Sequence, residues 1–490
     1  MNRRQAMQLT GRAIAGSALA PFTTLIPSTE RSSKRPAPAD RKFQSEAVEA
    51  KIGEVKRALG SSSELAWMFE NCFPNTLDTT VRFGTLEGKP DTFVITGDIP
   101  AMWLRDSTAQ VWPYLPLVHD DKALQQLIVG VINRQTRCIL VDPYANAFNF
   151  DSEGSEFDHD LTVMKPQLHE RKWEIDSLCY PIRLAHGYWT VTRDISPFDT
   201  GWHDSMRLVI KTFREQQRRE GAGPYSFRRN STTPNDTLNL DGYGNPIKPC
   251  GLIASGFRPS DDSCIYPFLI PSNMFAVTAL RDLAELSKAT RHPDLESDAS
   301  MLAEEVNQAL QTHATAVHAE HGKIYAYEVD GFGNQLFMDD ANVPSLLALP
   351  YLGCVAASHP TYQNTRRFVL GSNNPYFFRG KAAAGIGGPH VGLNMIWPLS
   401  IIMRGLTSNQ ETEIVSCLNT LIRTHAGTGF MHESFHQDDP SKFTRAWFAW
   451  ANTLFGEFVL KVLHEHRPAL KGGLPSQSVA KCRLHRPSWA

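Results

Sequence analysis

Apolar residues that recur at three- and four-residue spacing constrain this chain more than any other feature. The pattern runs through 44–59, 103–118, 121–139, 174–192, 203–219, 272–289, 295–316, 391–404, 409–425 and 444–464, with shorter candidates near 63–72 and 343–351. Between these segments lie long connections rich in Gly, Pro, Asn and aromatic residues: 73–101, 140–173, 220–271, 322–342, 371–390 and 426–443. Loops of that length in a compact chain usually carry function. The alternation predicts an all-α fold, an α/α barrel in which helical hairpins make two concentric rings and the loops on one face build a cleft. Strand-like pieces such as Thr92-Phe-Val-Ile-Thr96 and Lys323-Ile-Tyr-Ala-Tyr-Glu328 are expected as short β decorations. The ring is inferred from the helix count, since no internal repeat marks it.

With 490 residues, 42% hydrophobic and 20% charged, the chain can bury a large core. A net charge of −2 without long basic runs argues against a nucleic-acid partner. No stretch approaches the roughly 20 apolar residues of a membrane span. Residues 1–30 read as an export signal: Arg3-Arg4, a weakly apolar run from Ala13 to Ala20, and Ala18-Leu19-Ala20 as a small-residue cleavage pattern. The paired arginines permit a twin-arginine route. Residues 31–42 read as a linker, 43–470 as the main domain and 471–490 as a mobile tail. The eight cysteines are scattered with no zinc spacing; in an exported chain Cys250 and Cys264 are close enough in sequence to pair.

The adjacent carboxylates Asp261 and Asp262 lie in a turn-rich stretch, Ser255-Gly-Phe-Arg-Pro-Ser-Asp-Asp-Ser263, directly before a predicted helix. Phe257, Tyr266, Phe268 and Phe275 supply apolar walls, where a carboxyl loses hydration and its pKa rises, as a general acid requires. A helix or turn start explains the same residues structurally.

Glu433, in Gly429-Phe-Met-His-Glu-Ser434, has no obvious capping role. A carboxylate supported by neighbouring donors can polarise a water. His432 and His436 lack the helical His-Glu-x-x-His spacing of a zinc site, and the acidic residues at 151, 153, 156, 158 and 160 fail the calcium-loop pattern. Trp103, Arg105 and Asp106, in a loop entering a helix, offer a flat face and charged hydrogen bonds suited to vicinal hydroxyls. Asn149, Trp173, Glu174 and Asp176 could face the same cleft, although a helix dipole explains the two acids equally well. His390 either lines the cleft or caps the following helix.

Together, Gly97–Ser107, Glu170–Tyr180, Ser255–Ala276, Gly429–Ser434 and Arg445–Gly456 strongly resemble the glycoside hydrolase family 125 α-mannosidases over roughly residues 45–465. The resemblance implies an (α/α)6 barrel and metal-independent, cofactor-free exo-hydrolysis of α-1,6-linked mannose with inversion, acting on a mannose-containing oligosaccharide or N-glycan fragment. Carried over by motif, the general acid is Asp261 or Asp262, with Asp261 preferred, and the general base is Glu433. Trp103, Arg105, Asp106, Asn149, Arg258, Ser272, Asn273, His390, Arg445, Trp447 and Asn452, polar or aromatic within the matching motifs, are the expected sugar contacts. Alternatives are another exo-glycosidase or a phosphorylase on the same scaffold, or a glycan-binding protein without activity.

Overall fold

A computed structural model describes residues 31–465. Its helices are α1 (Glu46–Leu59), α2 (Glu64–Cys72), α3 (Asn75–Thr79), α4 (Leu104–Val111), α5 (Lys122–Val141), α6 (Ile175–Thr192), α7 (Thr200–Gln216), α8 (Ile270–Ala289), α9 (Pro293–His313), α10 (Pro360–Val369), α11 (Pro398–Leu406), α12 (Glu411–Thr424) and α13 (Ala449–Glu465). Their starts follow local chemistry. The side chains of Ser45, Ser63, Asp121 and Asp199 accept first-turn amides of α1, α2, α5 and α7. Proline opens α8 through α11, where its missing N–H has no partner to lose.

The departures from the sequence pattern have physical causes. The segment 103–118 stops being α-helical at Val111 and continues as a 3-10 turn, Trp112–Leu117, because Pro113 and Pro116 remove amide donors. The stretch 343–351 is a series of turns between Pro344 and Pro350, with the Asp339 carboxylate accepting the amides of Leu346 (2.8 Å) and Leu347 (3.0 Å). The helix expected at 391 begins at Pro398, since Met395–Ile396 pairs as a strand with Phe435–His436. Helix α10 was not anticipated: its buried face is Thr361, Tyr362, Thr365, Phe368 and Val369, too polar to read as a stripe. The predicted linker is docked. Arg35 reaches Asp78 at 2.7 Å and Glu49 at 2.9 Å, fixing residues 33–42 against α1 and α3.

Small antiparallel sheets decorate the helices. The hairpin β1 (Val81–Leu86) and β2 (Lys89–Val94) covers α5, and β3 (Met102–Trp103), β4 (Ala147–Phe148) and β5 (Leu168–Glu170) form a sheet at the entrance to α4. The expected strand at 323–328 is found as Gly322–Tyr325. Cys250 and Cys264 are free thiols, unpaired with each other. The expected leader and tail lie outside the described residues.

Helix packing places the site. Helix α4 lies against α6, α6 against α8, α11 against α13, and α13 back against α4, while α5, α7 and α9 form a second layer. The turns of 343–351 sit among them. Tyr180 of α6 donates to the Val343 carbonyl and Tyr362 of α10 to that of Leu347, each at 2.9 Å; Tyr351 donates to Glu457 of α13 at the same distance. The loops entering α4, α6, α8, α11 and α13, together with the first turns of those helices, contain every residue expected at the site except Asn149.

The α11–α13 contact depends on Gly405, where an added Cβ would fall 2.2 Å from the ring of fully buried Phe458. Gly405→Ala is expected to destabilise the fold by ~1–3 kcal/mol through overpacking, read as a lower thermal midpoint. An unchanged midpoint would mean that the two helices are not held this closely.

Candidate active site

Arg105, in the first turn of α4, is buried and sits among four carboxyl groups. Its Nη1 is 2.6 Å from Glu174 Oε2 and 3.0 Å from Asp176 Oδ2; Nη2 is 3.6 Å from Asp261 Oδ1, and Nε is 3.5 Å from Asp106 Oδ2. One guanidinium cannot neutralise four buried carboxylates, so the cluster has to retain protons. Burial raises the pKa of Glu174 well above the usual carboxylate range and raises that of Asp176, with Arg105 opposing both shifts. Asp106 is pushed up to about 6 by burial, with Arg105 pulling down, Asp261 pushing up and Arg445 pulling down.

Backbone bonding brings Asp261 to this cluster. The amides of Gly256 and Phe257 both donate to the Trp173 carbonyl (3.1 and 3.0 Å), locking the Asp–Asp loop to the residue preceding Glu174. Within the loop, Asp261 N donates to Arg258 O (2.9 Å) and Arg258 N to Asp262 O (2.7 Å). This closes a turn in which Asp261 adopts φ 67°, a left-handed conformation that Asp tolerates better than most residues. Lys172 Nζ donates to the Asp261 carbonyl at 2.9 Å, and Asn146 Nδ2 lies 3.4 Å from Asp261 Oδ1. The neighbouring Asp262 turns elsewhere, towards the Asn235 amide (2.6 Å), the Ser260 hydroxyl (3.2 Å) and His390 Nδ1 (3.3 Å).

Glu433 is held from the other side. Met431 N donates to Asn452 Oδ1 (2.8 Å), Phe448 N to Met431 O (2.9 Å) and Thr444 N to Ser434 O (3.1 Å), zipping the Glu433 loop to the approach to α13. His432 stacks on Phe443, and its Nδ1 lies 3.0 Å from the Ala446 carbonyl, so this ring braces the loop. Arg445 Nε lies 3.5 Å from Glu433 Oε1, and Arg445 Nη1 lies 3.1 Å from Asp98. Because Asp106 senses both Asp261 and Arg445, it links the two halves of the site.

The other expected contacts divide by what their polar atoms do. Trp103 is buried with its ring against His169, and Trp447 is half-buried with its ring against Gly97, where an added Cβ would lie 3.2 Å away. Arg258 is bound to Glu328 at 2.6 Å, and Glu328 also accepts the amides of Ile265 and Tyr266, which makes the pair a brace for the loop. Three asparagines act as clamps. The Asn149 amide donates to the carbonyls of Gly154, Pro166 and Leu168; Asn273 bonds both backbone groups of Ile253; Asn452 spans Met431 and Asn75. Ser272 is buried on α8 without a hydrogen-bond partner for its hydroxyl. Sequence reasoning missed Asn146, Lys172 and Asn235. Asn146 was in a motif already singled out, but nothing local distinguishes it from Asn149.

The raised Asp106 has a thermodynamic consequence. Its protonated form contributes stability below the unfolded value near 4, and that contribution disappears as the pH rises through about 6. Asp106→Asn, neutral throughout, should therefore gain on the wild type by on the order of 2 kcal/mol between pH 4 and pH 7.5. Denaturant unfolding at both pH values tests this, and a pH-independent difference would remove the assignment.

A profile of the metal-independent α-mannosidases of glycoside hydrolase family 125 matches residues 62–460. The Meiotically up-regulated gene 157 protein of Schizosaccharomyces pombe is 43% identical over 456 residues, covering 89% of each chain. A Streptococcus pneumoniae protein described as a metal-independent α-mannosidase, solved as a non-productive complex with α-1,6-mannobiose, is 42% identical. It superposes with a TM-score of 0.83 over 87% of this chain and 100% of its own. A bacterial glucoamylase in complex with acarbose shares the fold at 12% identity, with a TM-score of 0.55 over 86% of this chain and 59% of its own. On the profile match and these identities, the chain belongs to glycoside hydrolase family 125, the metal-independent α-mannosidases.

Proposed function

We propose that the protein is an exo-acting enzyme that releases non-reducing terminal α-1,6-linked mannose with inversion, with Asp261 as general acid and Glu433 as general base. The observation that carries this reading is the convergence of two carboxyl-bearing loops on the Arg105–Asp106–Arg445 array, in a chain 42% identical to a protein that binds α-1,6-mannobiose. Asp261 is preferred to Asp262 for two reasons. Its side chain keeps 13% exposure against 6%, and it shares Arg105 with Glu174, Asp176 and Asp106, an excess of acid over that cation that favours a carboxyl carrying a proton. Asp262 is engaged by three neighbours, one each from a loop asparagine, a serine and a histidine.

In the proposed reaction Asp261 protonates the glycosidic oxygen as its bond to the anomeric carbon breaks. Glu433 takes a proton from the water that attacks the opposite face. Arg445 beside Glu433 favours the carboxylate form that a base needs. Inversion requires room for that water, a separation of roughly 6.5–9.5 Å between the two carboxyl groups. Trp103, Trp447 and His390 are the proposed walls of the sugar pocket. The scaffold proposed is an (α/α)6 barrel with α4, α6, α8, the turns of 343–351, α11 and α13 as its inner ring; the closing contact of α13 on α4 supports it. Export through the leader at residues 1–30 is part of the proposal, and N-terminal sequencing of protein from a periplasmic or culture fraction tests it.

Purified protein incubated with α-1,6-mannobiose and followed by NMR is expected to release β-mannose first, at a rate unaffected by chelator, with α-1,2-mannobiose a poorer substrate. First release of α-mannose would overturn inversion. Asp261→Asn and Glu433→Gln should each lower kcat by about 10²–10⁴-fold with an unchanged thermal midpoint. Near-wild-type turnover in either variant would remove that residue from its role.

A further inference from the structure

We propose that Glu174 is the positioning residue of the acid: Glu174 and Asp261 hold one proton between them, and this shared proton keeps Asp261 competent to protonate the leaving oxygen. The inference rests on the reading of Asp261 as general acid.

The two side chains are brought together by the double hydrogen bond from Gly256 and Phe257 to Trp173, one residue before Glu174, and by the Ile175 amide donating to the Ser255 hydroxyl at 3.3 Å. Arg105 spans the pair, with Nη1 on Glu174 at 2.6 Å and Nη2 towards Asp261 at 3.6 Å. Glu174 Oε2 is fully engaged, by Arg105 and by the Ser177 hydroxyl at 2.8 Å. Glu174 Oε1 is buried with no hydrogen-bond donor on it. Besides burial, the nearby Asp261 carboxyl raises the Glu174 pKa, both by its charge and by facing the Glu174 carboxyl as a hydrogen-bond partner. Two carboxylates cannot hydrogen-bond to each other unless one carries a proton, and such a pair titrates as a unit.

The surrounding charges agree with that occupancy. Facing Glu174 are Arg105 from α4, Asp176 from its own helix, Asp261 from the loop, and the neutral Tyr225 and Cys264, while Asp106 lies on the other side of Arg105 and Lys172 beside Asp261. Arg105 contacts all four carboxyl groups; Lys172 beside Asp261 is shared with Glu170 and Asp236, and Arg445, which acts on Asp106, is shared with Asp98 and Glu433, so the acids remain in excess and part of that excess is protonated. Burial penalises the Glu174 anion, so the doubly ionised form of the pair is disfavoured and one proton stays between the two side chains. During turnover the Asp261 O–H bond breaks as the proton moves to the departing glycosidic oxygen, which keeps the electron pair of the broken C–O bond. The pair is then doubly anionic beside one guanidinium, and it recaptures a proton from solvent through the cleft. The proton that Glu433 takes from the attacking water leaves on the other side, so the cycle balances. Glu174 has no contact with the sugar and acts through Asp261.

The experiment is the pH profile of kcat/KM. In Glu174→Gln the neutral amide removes the like charge and donates to Asp261, which stabilises the Asp261 anion. The upper limb, where the acid loses its proton, is expected to move at least one unit to lower pH on α-1,6-mannobiose. The rate at neutral pH should fall at least tenfold and recover on the acid side. An aryl α-mannoside with a nitrophenolate leaving group, which needs little protonation, should be cleaved at close to the wild-type rate. A loss that is equal at every pH and equal on both substrates, with the limb unmoved, would overturn the inference.

Ser177→Ala covers the case in which the glutamine variant does not fold. Removing the hydroxyl that stabilises ionised Glu174 should move the same limb to higher pH, and an unmoved limb counts against the proposal. Near-wild-type mannobiose cleavage by Asp261→Asn would overturn the acid assignment and this inference with it. An inactive Asp261→Asn combined with an unmoved limb in the Glu174 and Ser177 variants would sink this inference alone.

Discussion

A single guanidinium, that of Arg105, holds together three parts of the chain that would otherwise repel one another. The start of α4 brings Asp106, the start of α6 brings Glu174 and Asp176, and the loop before α8 brings Asp261. Removing the cation would leave several buried acids uncompensated, a cost of several kcal/mol for each one that stayed ionised. The surrounding apolar packing has to absorb what one charge cannot neutralise. Trp173, fully buried, supplies part of it: its indole N–H donates to the Ala254 carbonyl at 2.7 Å, and its own carbonyl receives the two loop amides. The same residue therefore fixes the backbone that presents the charges.

The two carboxyl-bearing loops are secured by a common device. In each case an asparagine from the first turn of the following helix reaches back and bonds the loop backbone: Asn273 of α8 grips both groups of Ile253, and Asn452 of α13 grips Met431 and Asn75. Asn273 satisfies both a donor and an acceptor on its irregular segment, replacing the sheet ladder such a segment would otherwise need, while Asn452 satisfies one loop donor and ties it to the Asn75 side chain of α3. The loops can then carry acids close to the interior without becoming mobile.

That device also marks where sequence reading stops. The helices were legible because an apolar face recurs with the helical period, and they were lost where the buried face contained threonines, as in α10, or where prolines cut the pattern, as at 112–117. Glu433 stands out because no cap or exposed face explains it, and Asp261 and Asp262 stand out as adjacent acids in a turn-rich, aromatic stretch, although a helix or turn start accounts for them as well. Asn273 and Asn452, expected at the sugar, have their amides on protein partners, and no local feature distinguishes the two uses, since a clamp and a ligand are the same side chain with different partners. The partnership of Arg105 with Asp261 spans 156 positions (261 − 105), and that of Lys172 with the Asp261 carbonyl spans 89. No pattern along the chain encodes a contact of that range.

Charge stoichiometry separates the two halves of the site more sharply than residue type does. Around Asp261 the acids outnumber the cations Arg105 and Lys172; beside Glu433 stands Arg445, which is itself shared with Asp98 at the more open edge. Aspartate and glutamate have nearly the same intrinsic acidity, so the different roles proposed for them have to come from their surroundings. An excess of buried acid favours keeping a proton, and an adjacent guanidinium favours giving one up and staying charged. Asp106, raised by the first environment and restrained by Arg445 from the second, lies where the two influences meet. In the proposed reaction a positive charge develops on the sugar ring between them. The carboxylate proposed for Glu433 stabilises that charge electrostatically, so the arrangement that favours the two proposed protonation states also favours the transition state.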